Sequence, residues 1–92
     1  MDREFASRVL AVAKRMDEKN LVNAYEGNIS AKKDGIVYIT PTGKNKALLT
    51  EDMIAVIDAD GKQIGGSCKP TSELPMHLQT YQIREDIGGV VH

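Results

Sequence analysis

The chain has 92 residues, twelve basic and thirteen acidic, with a formal charge of -1, so it lacks the positive surplus of a nucleic-acid binder and any anion site on it must be local. Hydrophobic residues make up 41% but aromatic ones only 4%, with no Trp, so Ile, Val, Leu, Met and Ala must fill the thin core of one mixed α/β domain at most. The lone Cys68 excludes an internal disulfide, a CxxC redox motif and a zinc ribbon, and it fits a reducing compartment.

The N-terminal residues Met1-Asp2-Arg3-Glu4 carry both signs of charge and lead into no long apolar run. A signal peptide or membrane span is therefore not expected, and the chain reads as soluble and cytoplasmic. From Arg3 to Met16 the apolar residues Phe5, Val9, Val12 and Met16 recur at helical spacing, which predicts an amphipathic helix capped by Asp2. Lys14, Arg15 and Lys19 complement the helix dipole at its far end, and Asn20 reads as the stop.

Gly27-Asn28-Ile29-Ser30 then leads toward Ile36-Val37-Tyr38-Ile39-Thr40 through Asp34-Gly35, a favoured turn pair, so a β-hairpin is predicted. Pro41-Thr42-Gly43 breaks the second strand, and a loop with Lys44 and Lys46 follows. Thr50-Glu51-Asp52 reads as a capped turn. Residues 54–58 and Gln63-Ile64 flank Asp60-Gly61 as a second hairpin, ended by Gly65-Gly66. Ser72 is placed to cap a second helix with Pro75 in its first turn and Leu74, Leu78 and Tyr81 as its apolar stripe. Gly88-Gly89-Val90-Val91-His92 reads as a loop entering a buried strand. No repeat or linker divides these segments, so they belong to one αβ unit with antiparallel pairing.

Three breaks between elements, at Gly27-Asn28, Thr42-Gly43 and Thr71-Ser72, each combine small residues with hydrogen-bonding side chains. Such breaks can cradle an anion with backbone amides, although the same residues dominate turns for conformational reasons alone. Glu73 and His77 stand four apart, so they could share a helix face and bind a cation, with His92 adding a nitrogen from a strand end. The alternative reading makes Glu73 a helix-dipole carboxylate, His77 a packing residue and His92 a residue without a role.

The stretch from Lys69 to Leu78, Lys-Pro-Thr-Ser-Glu-Leu-Pro-Met-His-Leu, and the run from Arg84 to His92, Arg-Glu-Asp-Ile-Gly-Gly-Val-Val-His, resemble the central signature of the class II aldolase and adducin family. Gly27-Asn28-Ile29-Ser30 and Ile39-Thr40-Pro41-Thr42-Gly43 match that family's two upstream glycine motifs in the same order, so the resemblance spans most of the chain. It implies a three-layer α/β/α fold around a central, mostly antiparallel sheet. Residues 1–92 would be the N-terminal part of a single such domain, with exposed strand edges that favour aggregation when alone.

The resemblance further implies a divalent metal of the Zn2+ type, with His92 as its first histidine ligand and Glu73 beside it. Asn28, Thr42, Gly43, Thr71 and Ser72 fall where the family holds a substrate phosphate, and His77 is left to packing or to support of the site. The implied chemistry is a metal-dependent lyase reaction that cleaves or forms a carbon–carbon bond in a ketose phosphate through an enediolate, Glu73 moving the proton. The same motifs serve 4-epimerisation of a ribulose phosphate, dehydration of methylthioribulose phosphate and the non-catalytic adducin branch, and an inactive fragment is a further reading. A homotetramer acting on a small sugar phosphate is implied, with neither nucleic acid nor membrane as partner.

Three positions depart from the family pattern. No histidine follows His92, whereas the family has a second ligand two residues on and another much later. Tyr25-Glu26 stand where small hydroxyl residues are common, so Glu26 either pairs with Lys44 or marks a substrate without a phosphate. Thr71 replaces a frequent Ser and keeps the hydroxyl.

Overall fold

The first helix begins at its expected cap. In the computed structural model, which describes residues 2–19, 27–41, 45–84 and 88–91, helix α1 runs over Arg3–Glu18 and the Asp2 carboxylate accepts from the Phe5 amide at 2.9 Å. That bond satisfies one of the donors a helix start leaves open. The buried residues of α1 are Ala6, Val9 and Ala13; of the expected stripe, Val9 is buried and Phe5 packs against the core, whereas Val12 is 45% exposed. Successive helical residues are separated by about 100°, so a stripe that centres on two alanines turns Val12 toward solvent.

Among the described residues five strands follow: β1 (Ile29–Lys33), β2 (Ile36–Ile39), β3 (Ala55–Ile57), β4 (Gln63–Gly65) and β5 (Gly89–Val91). They form one antiparallel sheet in the order β4-β3-β2-β1-β5. Both predicted hairpins are present. Asp34 and Gly35 both take positive φ, 53° and 78°, the geometry that matches a two-residue turn to the twist of its strands. In the second hairpin the Asp58 carboxylate accepts from the amides of Asp60 and Lys62, each at 2.9 Å, and pins the loop from inside. Between the hairpins, short 3-10 turns occupy Lys46–Leu48 and Glu51–Met53, the first within what reads in the sequence as plain loop.

Helix α2 covers Leu74–Ile83 with Pro75 in its first turn. Its N-cap is Glu73, not Ser72: the turn that starts it closes from the Leu74 amide to the Thr71 carbonyl, which leaves Ser72 exposed at the turn's outside. Alternation along the strands divides the core in two. Tyr38 and Val56 pack with Ile54 against Ala6 and Val9 of α1, whereas Val37, Ile39, Ala55 and Ile57 pack against Tyr81, Leu74 and Leu78 of α2. The sheet is therefore the middle layer of three, as the resemblance implies. Among the described residues β5 pairs with β1 alone and lies at the sheet's edge, so that Val90 packs partly against the core but Val91 is 49% exposed, where a buried strand was expected. Among the described residues no helix is long and apolar enough to cross a membrane.

Candidate functional site

The site forms where the start of β1 meets the start of α2. Ile29 is tied to the end of β2 twice: its amide donates to Thr40 Oγ1 at 3.1 Å and its carbonyl accepts from the Thr40 amide at 3.0 Å. This clamp fixes Asn28, one residue before β1, on the sheet face that α2 covers. The segment entering α2 is anchored in the same place, because the Thr71 amide donates to the Thr40 carbonyl at 3.1 Å and Pro41 bridges Pro70.

From these two anchors the side chains converge. Asn28 Nδ2 donates to Glu73 Oε2 at 2.5 Å, and Asn28 Oδ1 is hydrogen-bonded by His77 Nε2. His77 Nδ1 lies 2.7 Å from Ser30 Oγ, which in turn lies 2.7 Å from the Tyr81 hydroxyl. Asn28, Ser30, His77 and Tyr81 are all at most 3% exposed, while Glu73 is half-buried at the mouth of this row. A line of polar groups in the interior is tolerable only when its members are paired, and among the described residues no buried side-chain polar atom lacks a partner. Burial holds the Tyr81 hydroxyl above its ordinary pKa, with the Ser30 hydrogen bond opposing it, so the phenol stays protonated.

The expected site residues are thus distributed as follows. Asn28, Thr71 and Glu73 come together, Thr71 Oγ1 accepting from the Glu73 amide at 3.4 Å, and Ser72 lies beside them on the surface. Thr42, Gly43 and His92, like Asn20, Tyr25, Glu26 and Lys44, lie outside the described residues. The shared helix face of Glu73 and His77 exists, yet both His77 ring nitrogens are engaged by Asn28 and Ser30, which removes it as a cation ligand. Among the described residues no three His, Cys, Asp or Glu side chains group to hold a metal ion. Of the two metal-site residues expected from the sequence, Glu73 is among the described residues and His92 is not.

Ser30 and Tyr81 were not legible as site residues from composition, although a spacing signal exists. Glu73, His77 and Tyr81 recur every four residues on one helix face, and Asn28 and Ser30 every two on one strand face, so the two rows can interlock. A cleft of about 570 Å³ lies elsewhere, between α2 and the two hairpin turns, and is lined by Lys32, Asp58, Asp60 and Gln82, with Tyr81 its one link to the polar row.

Comparisons with known proteins cover most of the chain. Residues 7–92 match the model for the Class II Aldolase and Adducin N-terminal domain. Among relatives, the L-fuculose phosphate aldolase of Methanococcus vannielii is 50% identical over 76 residues, covering 83% of this chain and 40% of the relative. A methylthioribulose-1-phosphate dehydratase of Gluconacetobacter diazotrophicus is 35% identical over 85 residues, covering 91% of this chain and 42% of its own. A solved structure of L-fuculose 1-phosphate aldolase superposes with a TM-score of 0.92 at 30% identity, covering all of this chain and 44% of that one. The chain therefore spans less than half the length of these relatives.

Proposed function

Because the chain belongs to the class II aldolase and adducin family, we propose that it carries the substrate-binding and proton-transferring half of a metal-dependent aldolase that cleaves or forms a carbon–carbon bond in a ketose phosphate. The observation that carries this reading is the hydrogen bond between Asn28 and Glu73, which joins the first glycine motif to the carboxylate at the start of α2. In this reading Asn28, Thr42, Gly43, Thr71 and Ser72 hold the phosphate, whose binding energy is spent away from the reacting carbons. Glu73 moves the proton at the carbon that becomes nucleophilic in the substrate's enediolate. A carboxylate suits that task when its environment is part apolar and its orientation is fixed by a donor.

A divalent cation, Zn2+ in this proposal, would be held by His92 and Glu73 with ligands from outside the chain, and when bound it would polarise the substrate carbonyl. The assembly proposed is a cytoplasmic homotetramer. A second reading within the family is favoured by the similarity to a protein named a dehydratase: elimination of water from a related sugar phosphate would use the same proton-moving carboxylate. A 4-epimerase would use the same half-site again. The non-catalytic adducin-like role is disfavoured because the chain keeps Glu73 at the mouth of the polar row.

Product analysis of the full-length protein with a panel of ketose phosphates separates these readings. Release of an aldehyde and a shorter keto phosphate supports the aldolase. A change of configuration at constant mass would replace it with the epimerase, and loss of water with the dehydratase. No turnover with any divalent cation would favour the binding role.

A further inference from the structure

The row Glu73–Asn28–His77–Ser30–Tyr81 has a direction that its donors and acceptors fix. A carboxamide presents two donors on one side and an acceptor on the other. With Nδ2 donating to Glu73, Asn28 turns its oxygen to His77, so the Nε2 that faces it must carry a proton. Ser30 has one hydroxyl proton and two partners, His77 Nδ1 and the Tyr81 hydroxyl, so it donates to one and accepts from the other. Among the described residues Ser30 is the hydrogen-bond partner of the Tyr81 hydroxyl, and that phenol is 3% exposed, so its proton is satisfied only if it is given to Ser30. Ser30 must then donate to His77 Nδ1. Each proton in the row points toward Glu73, and any single reversal leaves a buried donor facing a donor.

We propose that His77, set by Ser30 and Tyr81, is a positioning residue whose Nε2–H holds the Asn28 carboxamide with its nitrogen toward Glu73, and so fixes the orientation of that carboxylate. Without this arrangement an Asn side chain has two orientations of similar shape, and one of them would turn its carbonyl oxygen onto the carboxylate. The backbone alone does not choose between them; the imidazole does. His77 is suited to this because it is 0% exposed and its ring spans Ser30 on β1 and Asn28 before it, residues two apart on one strand face. The significance of the orientation rests on the reading of Glu73 as the proton-moving group. The orientation itself does not, and it can be measured without metal or substrate.

The test is nuclear magnetic resonance on the full chain with 15N-labelled histidine and labelled Asn and Glu side chains. The His77 ring is expected as a single tautomer protonated at Nε2. A ring protonated at Nδ1 in the unaltered chain would overturn the proposal, and this arm needs no variant that must fold. In Ser30→Ala the tautomers are expected to mix, because Nδ1 loses its donor. In Tyr81→Phe, where Ser30 keeps its proton, the Nε2–H form is expected to persist. His77→Gln restores an N–H toward Asn28 and is expected to keep the Asn28 amide and Glu73 carboxyl resonances near their original positions, whereas His77→Leu is expected to move both. Equal resonances in the Gln and Leu variants, each shown to be folded by its dispersed backbone amides, would overturn the proposal. Failure of the aldolase reading with this pattern intact would leave the positioning role standing, so the two are separable.

Discussion

Asn28 and Glu73, 45 residues apart in sequence, are joined by a hydrogen bond of 2.5 Å between Nδ2 and Oε2. The sheet brings the first residue to that place through the Ile29–Thr40 clamp, and the helix brings the second as its N-cap. Asn28→Asp would set two carboxylates against each other at a half-buried position. It is expected to lower stability by about 1–3 kcal/mol at neutral pH, read as a lower urea midpoint. An unchanged midpoint would show that the contact carries no weight.

The cap of α1 has a pH signature. The hydrogen bond from Lys33, and after it the Phe5 amide, hold the Asp2 carboxyl below its ordinary pKa, and Asp2 in turn holds the Lys33 ammonium above its own. The folded pKa of Asp2 lies below the unfolded one, so its stabilisation is present above the usual carboxylate range and is lost as the pH falls through the depressed value. Asp2→Asn keeps a capping oxygen and removes the charge. The denaturation midpoints of the two proteins are expected to differ at neutral pH and to converge in acid, and parallel curves would assign the effect to the cap alone.

Gly66 is required by space as well as by conformation. Its φ is +90°, and a Cβ there would come within 2.4 Å of the Ile54 carbonyl oxygen, a backbone atom that cannot swing aside. Gly66→Ala is expected to cost about 3 kcal/mol, measured by thermal or urea unfolding. Gly35 also has a positive φ but meets nothing within 4 Å, so Gly35→Ala is expected to cost only the strain of the turn, about 1 kcal/mol.

Much of this was legible in the sequence for local reasons. Asp2 before a helical period, Asp34-Gly35 between β-branched runs and Pro75 at a helix start each act within a few residues of themselves, and each appears where expected. Facing is a property of partners, and there the reading was weaker. On α1 the expected stripe holds at Phe5 and Val9, which pack in the core, but not at Val12, which is exposed while Ala6 and Ala13 are buried. The buried strand expected at Val90-Val91 is an edge among the described residues, where β1 is its one neighbour. At the site, Asn28, Thr71 and Glu73, which stand in separate motifs, are neighbours in the fold, whereas the polar row behind them depends on β1 and α2 meeting at a given register. Tyr81 read as part of an apolar stripe because its ring does pack in the core while only its hydroxyl joins the row.

The turned face of α1 can be checked directly. Val12→Lys places a charge on a residue already 45% exposed and is expected to change stability by less than about 0.5 kcal/mol. Ala13→Lys buries a charge at a position with 0% exposure and is expected to prevent cooperative folding. Equal unfolding midpoints for the two variants would return the helix to the face expected from its larger side chains.

The most direct test of the site is the Glu73→Gln exchange in the full-length protein, assayed for the proposed cleavage of a ketose phosphate beside the unaltered protein. Gln keeps an oxygen for the Asn28 donor and so preserves the local geometry, but it cannot take up a proton. A fall in kcat of about 10²-fold or more, with the unfolding midpoint little changed, is the expected result. Turnover undiminished in the Gln variant would contradict the assignment of Glu73 as the residue that moves the proton.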